Sequence, residues 1–298
     1  MSPLRHILLV LGGVVIISGM IGLIFSLINK KTVPVIEPLP EIITPEKAVM
    51  GTSSKVIGYS VENRKIESFS FGTGARHLLF VGGIHGGYEW NSILLAYQFI
   101  DYLNQNLETI PTSVTIDVIP SINPDALYAV IKKEGRFKIT DIPLTTTVGL
   151  GRFNAHQVDL NRNFACKWQP QSSWRSQTVS AGTSAFSEPE TKALRDFVNI
   201  TKPEAVIFWH SQANAVYASE CTNGVLPDTI TLMETYAQAA NYKSVATFDA
   251  YPVTGDAEGW LASIGIPAIT VELANHESTE WDKNLAGIKA VLRTYIGK

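Results

Sequence analysis

The sequence predicts an α/β sandwich around a mostly parallel sheet for the residues from about 50 onward. Short apolar runs of strand length alternate there with longer segments of helical spacing, an order typical of helices that connect parallel strands. Polar residues able to bind a metal follow several of these predicted strands. The 298 residues, 45% of them hydrophobic, suffice for one large domain with short accessory segments.

The predicted elements follow one another in a regular order. Residues 55–72 are interpreted as a leading pair of strands because polar and apolar side chains alternate. The later strands are short apolar runs, whereas the helices are longer and amphipathic. Strands are predicted at 77–84, 113–123, 204–210 and 267–273, and helices at 90–107, 187–200, 227–242 and 281–296.

The first fifty residues carry a different signal. The run 7–28 contains no charged side chain and is long enough, at 1.5 Å per residue, to span a ~30 Å hydrocarbon core. It lacks a clear cleavage site, so we interpret residues 1–30 as one transmembrane signal anchor; a cleaved signal and a buried core helix are the alternatives. Residues 31–50, rich in proline, are predicted to form a semi-rigid linker to a folded domain at 51–298.

This organisation predicts a single-pass protein of the cell membrane, with the membrane as a partner through the N-terminal helix. Positive charges flank the apolar run on both sides, so they leave the orientation open, and we expect the domain to lie outside the cytoplasm. A net charge of -3 argues against a nucleic-acid partner. Cys166 and Cys221 could form one disulfide in an oxidising compartment; two unrelated buried thiols are the alternative.

Acid, amide and imidazole groups follow four predicted strands. Because ligands gather beyond the carboxyl ends of strands in an open α/β sheet, we expect these groups to meet at one edge. They are His85 with Glu89, Asn123 with Asp125, His210, and Glu272. Each alone has a structural explanation, such as a helix-entry acid for Glu89 or a satisfied core histidine for His210.

Two imidazoles and one carboxylate, with a fourth position open to water, form a common catalytic zinc site. His85, Glu89 and His210 are the candidate ligands, and one zinc ion per chain is the predicted cofactor. Zinc lowers the pKa of a bound water toward ~7 and polarises a carbonyl. Glu272 is the candidate for the group that moves the proton, because a carboxylate within an apolar strand is costly unless it is paired or used.

A second polar stretch, "GRFNAHQVDLNRNFACKW" at 151–168, contains Arg152 and Arg162 with asparagines between them. Guanidinium groups bind carboxylates bidentately, so this stretch suits a substrate carboxylate or a developing oxyanion. The alternative is a structural turn in which Asp159 pairs with an arginine.

Seven segments in this order are similar to the zinc carboxypeptidase (metallocarboxypeptidase) family, particularly its small bacterial members. They are "IHGGYE", "INPDA", "VDLNRNF", "FSEPET", "WHSQ", "TGDAEGW" and "GIPAITVEL", across residues 84–273. The resemblance implies a three-layer sandwich with a mixed, mostly parallel sheet of about eight strands between helices. It also implies roles for individual residues: His85, Glu89 and His210 as zinc ligands, Glu272 as general base, Arg152 at the oxyanion, Asn161 and Arg162 at the terminal carboxylate, and Tyr251 closing over the substrate.

One feature departs from the family pattern. The family spaces its first histidine and glutamate as His-x-x-Glu, whereas Glu89 lies one residue further from His85 and Tyr88 stands at the usual position. Either Gly86 and Gly87 accommodate the extra residue and Glu89 still binds the metal, or the site is altered. We expect the first, since no other acid is near His85 in the sequence.

The resemblance also places Glu258 where the pocket for the C-terminal side chain is lined. An acid there favours lysine, arginine or the amino end of diaminopimelate, and Asp256 could serve instead. The alternative is that both acids face solvent on a loop.

The predicted function is therefore a membrane-anchored zinc metallocarboxypeptidase that removes C-terminal residues from peptides or cell-wall peptides with a free C-terminal carboxylate. A zinc-dependent deacylase of N-acyl amino acids, of the succinylglutamate desuccinylase or aspartoacylase type, is the second hypothesis. A non-catalytic module that binds peptide C-termini is the third.

Overall fold

The computed structural model describes residues 53–143 and 149–296, and the core of this part is a mixed eight-stranded sheet. From one edge to the other the strands are β1 (Ser53–Tyr59), β2 (Lys65–Gly72), β4 (Val114–Ile119), β3 (Arg76–Val81), β7 (Ala205–Ser211), β12 (Ala268–Leu273), β8 (Ala215–Ala218) and β11 (Lys243–Val245). The pairings β4–β3, β3–β7, β7–β12 and β8–β11 are parallel, and the others are antiparallel.

Helices cover both faces of the sheet, which makes three layers. In β3, Leu78 and Phe80 belong to one buried cluster, whereas Leu79 and Val81 belong to the other. This alternation follows from the two-residue period of a strand, and it explains why central strands are apolar throughout. The helices on the first face are α1 (Trp90–Gln105), α2 (Pro124–Ile131), α4 (Pro227–Ala240) and α6 (Trp281–Arg293); α3 (Pro189–Thr201) and α5 (Ala257–Ser263) lie on the second.

Two short hairpins lie outside the main sheet. One consists of β5 (Gln171–Trp174) and β6 (Gln177–Ser180), and the other of β9 (Glu220–Cys221) and β10 (Gly224–Val225). A disulfide joins Cys166 to Cys221, with the two Cα atoms 6.0 Å apart. It therefore ties the segment before the first hairpin to the second hairpin.

The predicted α/β class and the mixed sheet of about eight strands are confirmed, and each strand and helix predicted from the sequence has a counterpart. The elements that the sequence did not predict are short: α2, α5, β8, β11 and the two hairpins. The predicted transmembrane helix and linker lie outside the described residues. Among residues 53–143 and 149–296, no helix combines the length and apolar character needed to cross a bilayer.

Candidate metal centre and active site

Three side chains that could bind a metal meet at the carboxyl edge of the central strands. His85 follows β3, Glu89 ends the 3₁₀ turn Gly86–Glu89, and His210 lies near the end of β7. One ligand atom from each lies within 4.8 Å of the others, and all three residues are buried. The Nδ1 atom of His85 is 2.8 Å from Glu89 Oε1, and the Nδ1 atom of His210 is 3.1 Å from Glu89 Oε2.

The turn that carries Glu89 is packed tightly against α2. Gly86 adopts φ +46°, and a Cβ there would lie 2.3 Å from the Cβ of Ala126. A Cβ on Gly87 would lie 2.5 Å from a methyl group of Val130. Neither position has room for a side chain, and only glycine lets the backbone turn in so small a space. The extra residue between His85 and Glu89 is accommodated in this turn, and Glu89 still reaches both imidazoles.

The electrostatics of the cluster suit a cation. Burial disfavours an ionised Glu89, but the charges of His85 and His210 outweigh it and lower the pKa of Glu89. Burial also opposes a charged His210, yet Glu89 and then Glu258 raise the pKa of His210 well above its usual value. Glu89 Oε2 is buried and makes no hydrogen bond of regular geometry with the described residues. Two imidazole nitrogens and a carboxylate are the donor set that zinc takes in catalytic sites, so these residues fit a zinc ion.

Arg152 is fixed beside this cluster. Its Nε and Nη2 atoms donate to Asp159 Oδ2 at 3.1 and 2.8 Å, and its guanidinium lies 4.4 Å from the ring centre of Trp174. Its Nη1 atom is 3.9 Å from Glu89 Oε1, so this side of the guanidinium faces the candidate metal ligands. Asp159 does pair with an arginine, as the structural alternative in the sequence analysis supposed. This pairing orients Arg152 toward the site.

Asn161 and Arg162 lie next to each other in the 3₁₀ turn Leu160–Arg162. Asn161 accepts from the Ala257 N–H at 2.8 Å and donates to Glu258 Oε2 at 3.3 Å, so its amide orientation is defined. Arg162 donates from Nε and Nη2 to the Ser173 carbonyl and from Nη1 to the Asn161 carbonyl. Since a guanidinium has five N–H groups, Arg162 keeps donors free for a ligand.

Glu272 lies opposite His210 in the register of β12 and β7. Its Oε2 atom is buried and has no hydrogen-bond partner in the described part of the chain. Burial, and after it the charge of Glu89, raise the pKa of Glu272 to about 8. A buried carboxyl group without a partner, next to the candidate metal ligands, is placed to exchange a proton with a bound water or substrate.

These groups line one cavity of about 530 Å³. Tyr251 lies at its wall with its ring 4.9 Å from that of Phe248. Glu258 is buried at the cavity and Asp256 is partly buried there, so the alternative of two solvent-facing acids does not describe them. Burial, and next the charge of Glu258, raise the pKa of Asp256 to about 6.

The structure adds residues to the cavity that the sequence did not single out. Tyr88, Trp174 and Arg175 also line it. The Tyr88 ring lies 5.4 Å from Trp174 and 4.7 Å from His276. Trp174 and Arg175 belong to the β5–β6 hairpin, whose polar sequence carries no periodic signal. Their distance in sequence from the metal-binding motif explains why they were not predicted.

Asn123 and Asp125 do not join the site, contrary to the expectation from their place after a strand. Asn123 caps α2 by accepting from the Ala126 N–H at 3.2 Å. Asp125 accepts from the Ser60 hydroxyl at 2.6 Å and from Arg64 at 2.7 Å. Both residues therefore have structural partners, because a helix start and a partly buried arginine also need oxygen acceptors.

The model of the zinc carboxypeptidase family matches residues 50–289. Gamma-D-glutamyl-L-diamino acid endopeptidase 1 of Lysinibacillus sphaericus is 23% identical over 240 residues, which are 74% of this chain and 60% of that protein. Murein peptide amidase A of Escherichia coli K12 is 28% identical over 139 residues, 43% of this chain and 54% of that protein. The matches thus span just over half of the length of these two relatives.

The crystal structure of murein-tripeptide amidase from Escherichia coli O157 has the same fold, with a TM-score of 0.60 at 23% identity over 82% of this chain and 93% of that one. The family resemblance noted in the sequence is confirmed, since the family model covers most of the chain and the fold agrees. The chain belongs to the zinc carboxypeptidase family.

Proposed function

We propose that this protein is a zinc-dependent metallocarboxypeptidase that removes residues from the C-termini of peptides. The observation that carries the proposal is the convergence of His85, Glu89 and His210 on a cavity that also contains Glu272 and Arg152. His85, Glu89 and His210 would hold the zinc ion. When bound, zinc supplies a Lewis acid for the scissile carbonyl and lowers the pKa of the attacking water toward ~7.

Glu272 is the proposed general base. It accepts the proton of the attacking water and passes it to the leaving amine as the peptide bond breaks. Two observations support this role: Glu272 lies beside His210, and its Oε2 atom has no hydrogen bond from the residues that the structure describes. Arg152 stabilises the oxyanion that develops on the carbonyl, because Asp159 and Trp174 hold its guanidinium in place before the reaction.

The free C-terminal carboxylate is proposed to bind Arg162 and Asn161. Arg162 is anchored by two backbone carbonyls and retains N–H donors, which favours a rigid charged grip on a carboxylate. Tyr251 lies at the cavity wall, where it can cover the bound terminus. Recognition of this terminal group distinguishes an exopeptidase from an enzyme that cuts within a chain.

The acids of the cavity support a preference for a basic C-terminal residue. Asp256 and Glu258 lie at the end of the cavity formed by α5, where a lysine, an arginine or the amino end of diaminopimelate would gain an opposite charge. The relative named gamma-D-glutamyl-L-diamino acid endopeptidase indicates a diamino acid next to the bond that it cuts.

A cell-wall stem peptide is the substrate class that a second observation favours. A γ-linked glutamyl residue keeps a free α-carboxylate on the amino side of the scissile bond. Arg175 lines the cavity, is exposed, and has no hydrogen bond or ion pair within residues 53–143 and 149–296. A cation at this place could bind that carboxylate, so Arg175 supports a γ-D-glutamyl-linked substrate over an ordinary peptide.

We also propose that residues 1–30 anchor the protein in the cell membrane and that residues 31–50 form a linker to a domain outside the cytoplasm. The apolar run at 7–28 supports the anchor. The disulfide between Cys166 and Cys221 supports an oxidising compartment for the domain.

The test is to incubate the purified, zinc-loaded protein with peptides ending in Lys, Arg, Phe or Glu, and with L-Ala-γ-D-Glu-diaminopimelate. N-acyl amino acids are included for the deacylase hypothesis, and products are identified by mass spectrometry. Loss of a single C-terminal residue supports the proposal. Hydrolysis of the acyl amino acids alone would favour a deacylase, and binding of peptides without any cleavage would favour a non-catalytic module.

A further inference from the structure

The carboxylate of Glu258 is occupied by groups of the protein. Its Oε1 atom lies 3.2 Å from His210 Nε2 and accepts from the Thr270 hydroxyl at 3.0 Å. Its Oε2 atom accepts from Asn161 Nδ2 at 3.3 Å. The side chain is buried, and each of its oxygens already has a donor or cationic partner. Binding a lysine side chain there would require Glu258 to share or give up these contacts.

The contact between His210 and Glu258 resembles a second contact, between His85 and Asp159. His85 directs Nδ1 toward Glu89 and Nε2 toward Asp159 Oδ1, which is 3.4 Å away. His210 likewise directs Nδ1 toward Glu89 and Nε2 toward Glu258. The two Nε2 atoms lie 3.4 and 3.2 Å from these carboxylate oxygens, without the geometry of a regular hydrogen bond. Each candidate histidine ligand therefore lies between Glu89 and one outer carboxylate.

This arrangement has a known chemical effect. A histidine that binds a metal through one nitrogen commonly donates its other N–H to a carboxylate, which fixes the ring orientation and makes the ligand more basic. The ring positions leave Nδ1 of His210 for the metal and Nε2–H for Glu258. Glu258 thus occupies the place of an outer carboxylate that orients a metal ligand.

Asp256 differs from Glu258 in this respect. It caps α5 by accepting from the Gly259 N–H with Oδ2 at 2.7 Å. Its Oδ1 atom has no hydrogen bond to the described residues, and the side chain lines the same cavity. Asp256 can therefore bind a cation without breaking an existing contact.

We propose that Glu258 is a positioning residue that holds His210 for the metal, and that Asp256 is the acid that recognises a basic C-terminal side chain. The second half rests on the proposed carboxypeptidase function, whereas the first half concerns metal binding alone. The proposal reverses the role that sequence position suggests for Glu258.

The test compares four variants of the full chain. Zinc affinity is measured by competition with a chelating dye, and kcat and KM are measured for peptides ending in Lys and in Ala. Glu258→Ala removes the contact with His210, and Glu258→Gln keeps an oxygen acceptor without the charge. Asp256→Asn keeps a good helix cap. Glu220→Gln is the matched control, because Glu220 also lines the cavity but does not contact a candidate ligand.

We expect Glu258→Ala to weaken zinc binding about 10–100-fold and Glu258→Gln to recover part of that loss. Asp256→Asn and Glu220→Gln should bind zinc within about twofold of the wild type. Asp256→Asn should raise KM for the Lys peptide and remove its advantage over the Ala peptide, while Glu258→Gln retains that advantage. Should Glu258→Ala fail to fold, as judged by circular dichroism, Glu258→Gln and the control decide the comparison.

Wild-type zinc affinity in both Glu258 variants would overturn the positioning role. Loss of the Lys preference in Glu258→Gln but not in Asp256→Asn would overturn the role of Asp256. A wild-type protein that binds zinc but cleaves no peptide would refute the proposed function and with it the role of Asp256, while the zinc titration would still decide the role of Glu258.

Discussion

The turn between His85 and Glu89 gives a prediction about stability that can be worked out from the structure. Gly86 combines φ +46° with a Cβ position only 2.3 Å from Ala126 Cβ and 2.9 Å from the Gly151 carbonyl oxygen. Gly135 has φ +69° but no atom within 4 Å of its Cβ position. Alanine substitutions at these two glycines therefore separate the free-energy cost of a left-handed backbone from that of a steric clash.

A left-handed conformation costs a non-glycine residue about 1–2 kcal/mol, and overpacking a buried site adds about 1–3 kcal/mol. Gly135→Ala should therefore lower the free energy of unfolding by the first amount only. Gly86→Ala should lower it by both, about 1–3 kcal/mol more than Gly135→Ala. Because the clash also displaces Glu89, Gly86→Ala should weaken zinc binding as well, and Gly135→Ala should not.

The assay is urea denaturation followed by tryptophan fluorescence in EDTA, with a zinc titration of each folded variant. EDTA keeps metal binding from contributing to the unfolding free energy. Equal destabilisation by the two substitutions, together with unchanged zinc affinity in Gly86→Ala, would refute the account of how the turn places Glu89.

Three further predictions concern the base, the disulfide and the hairpin. Because burial and then Glu89 raise the pKa of Glu272 to about 8 from 4.5, its contribution to stability is full below pH 4.5 and is lost as the pH rises toward 8. In EDTA, urea midpoints of the wild type should therefore fall relative to those of Glu272→Gln between pH 5 and 8; parallel curves would contradict the shift. Replacing Cys166 and Cys221 by serine opens a 55-residue loop and should cost about 4 kcal/mol in the free energy of unfolding, as should reduction of the wild type; no change in the urea midpoint would argue against the bond. Arg175→Ala should raise KM about tenfold for L-Ala-γ-D-Glu-diaminopimelate and leave KM for an Ala-Ala-Lys peptide unchanged; equal effects on both would remove Arg175 from substrate recognition.

The order of the main strands and helices could be predicted because their apolar patterns are long. Strand β7, for example, is a seven-residue run that is buried throughout. Strand β11 has three residues and β8 has four, so their pattern is too short to distinguish from a loop. β8 pairs with β12, and β11 pairs with β8. These pairings, which join segments distant in the sequence, make both segments strands.

The candidate metal ligands could be predicted because they follow strands whose carboxyl ends share one edge of the sheet. The outer contacts could not, since they depend on side-chain directions. Glu258 is 48 positions from His210 in the sequence, yet the start of α5 brings its carboxylate to the imidazole. Trp174 reaches Arg152 from a hairpin with no apolar periodicity. Such contacts become visible only when the chain is folded.

The position of Glu89 is the central claim about the site, because the spacing from His85 departs from the family pattern while the structure still brings Glu89 to both histidines. The most direct measurement is a zinc titration of the wild type, Glu89→Ala and the control Glu220→Gln. We predict one zinc ion per chain in the wild type and the control. Loss of a carboxylate that only orients a ligand weakens metal binding about 10–100-fold. The zinc affinity of Glu89→Ala should fall by more than this. Zinc binding by Glu89→Ala with wild-type affinity would contradict the account.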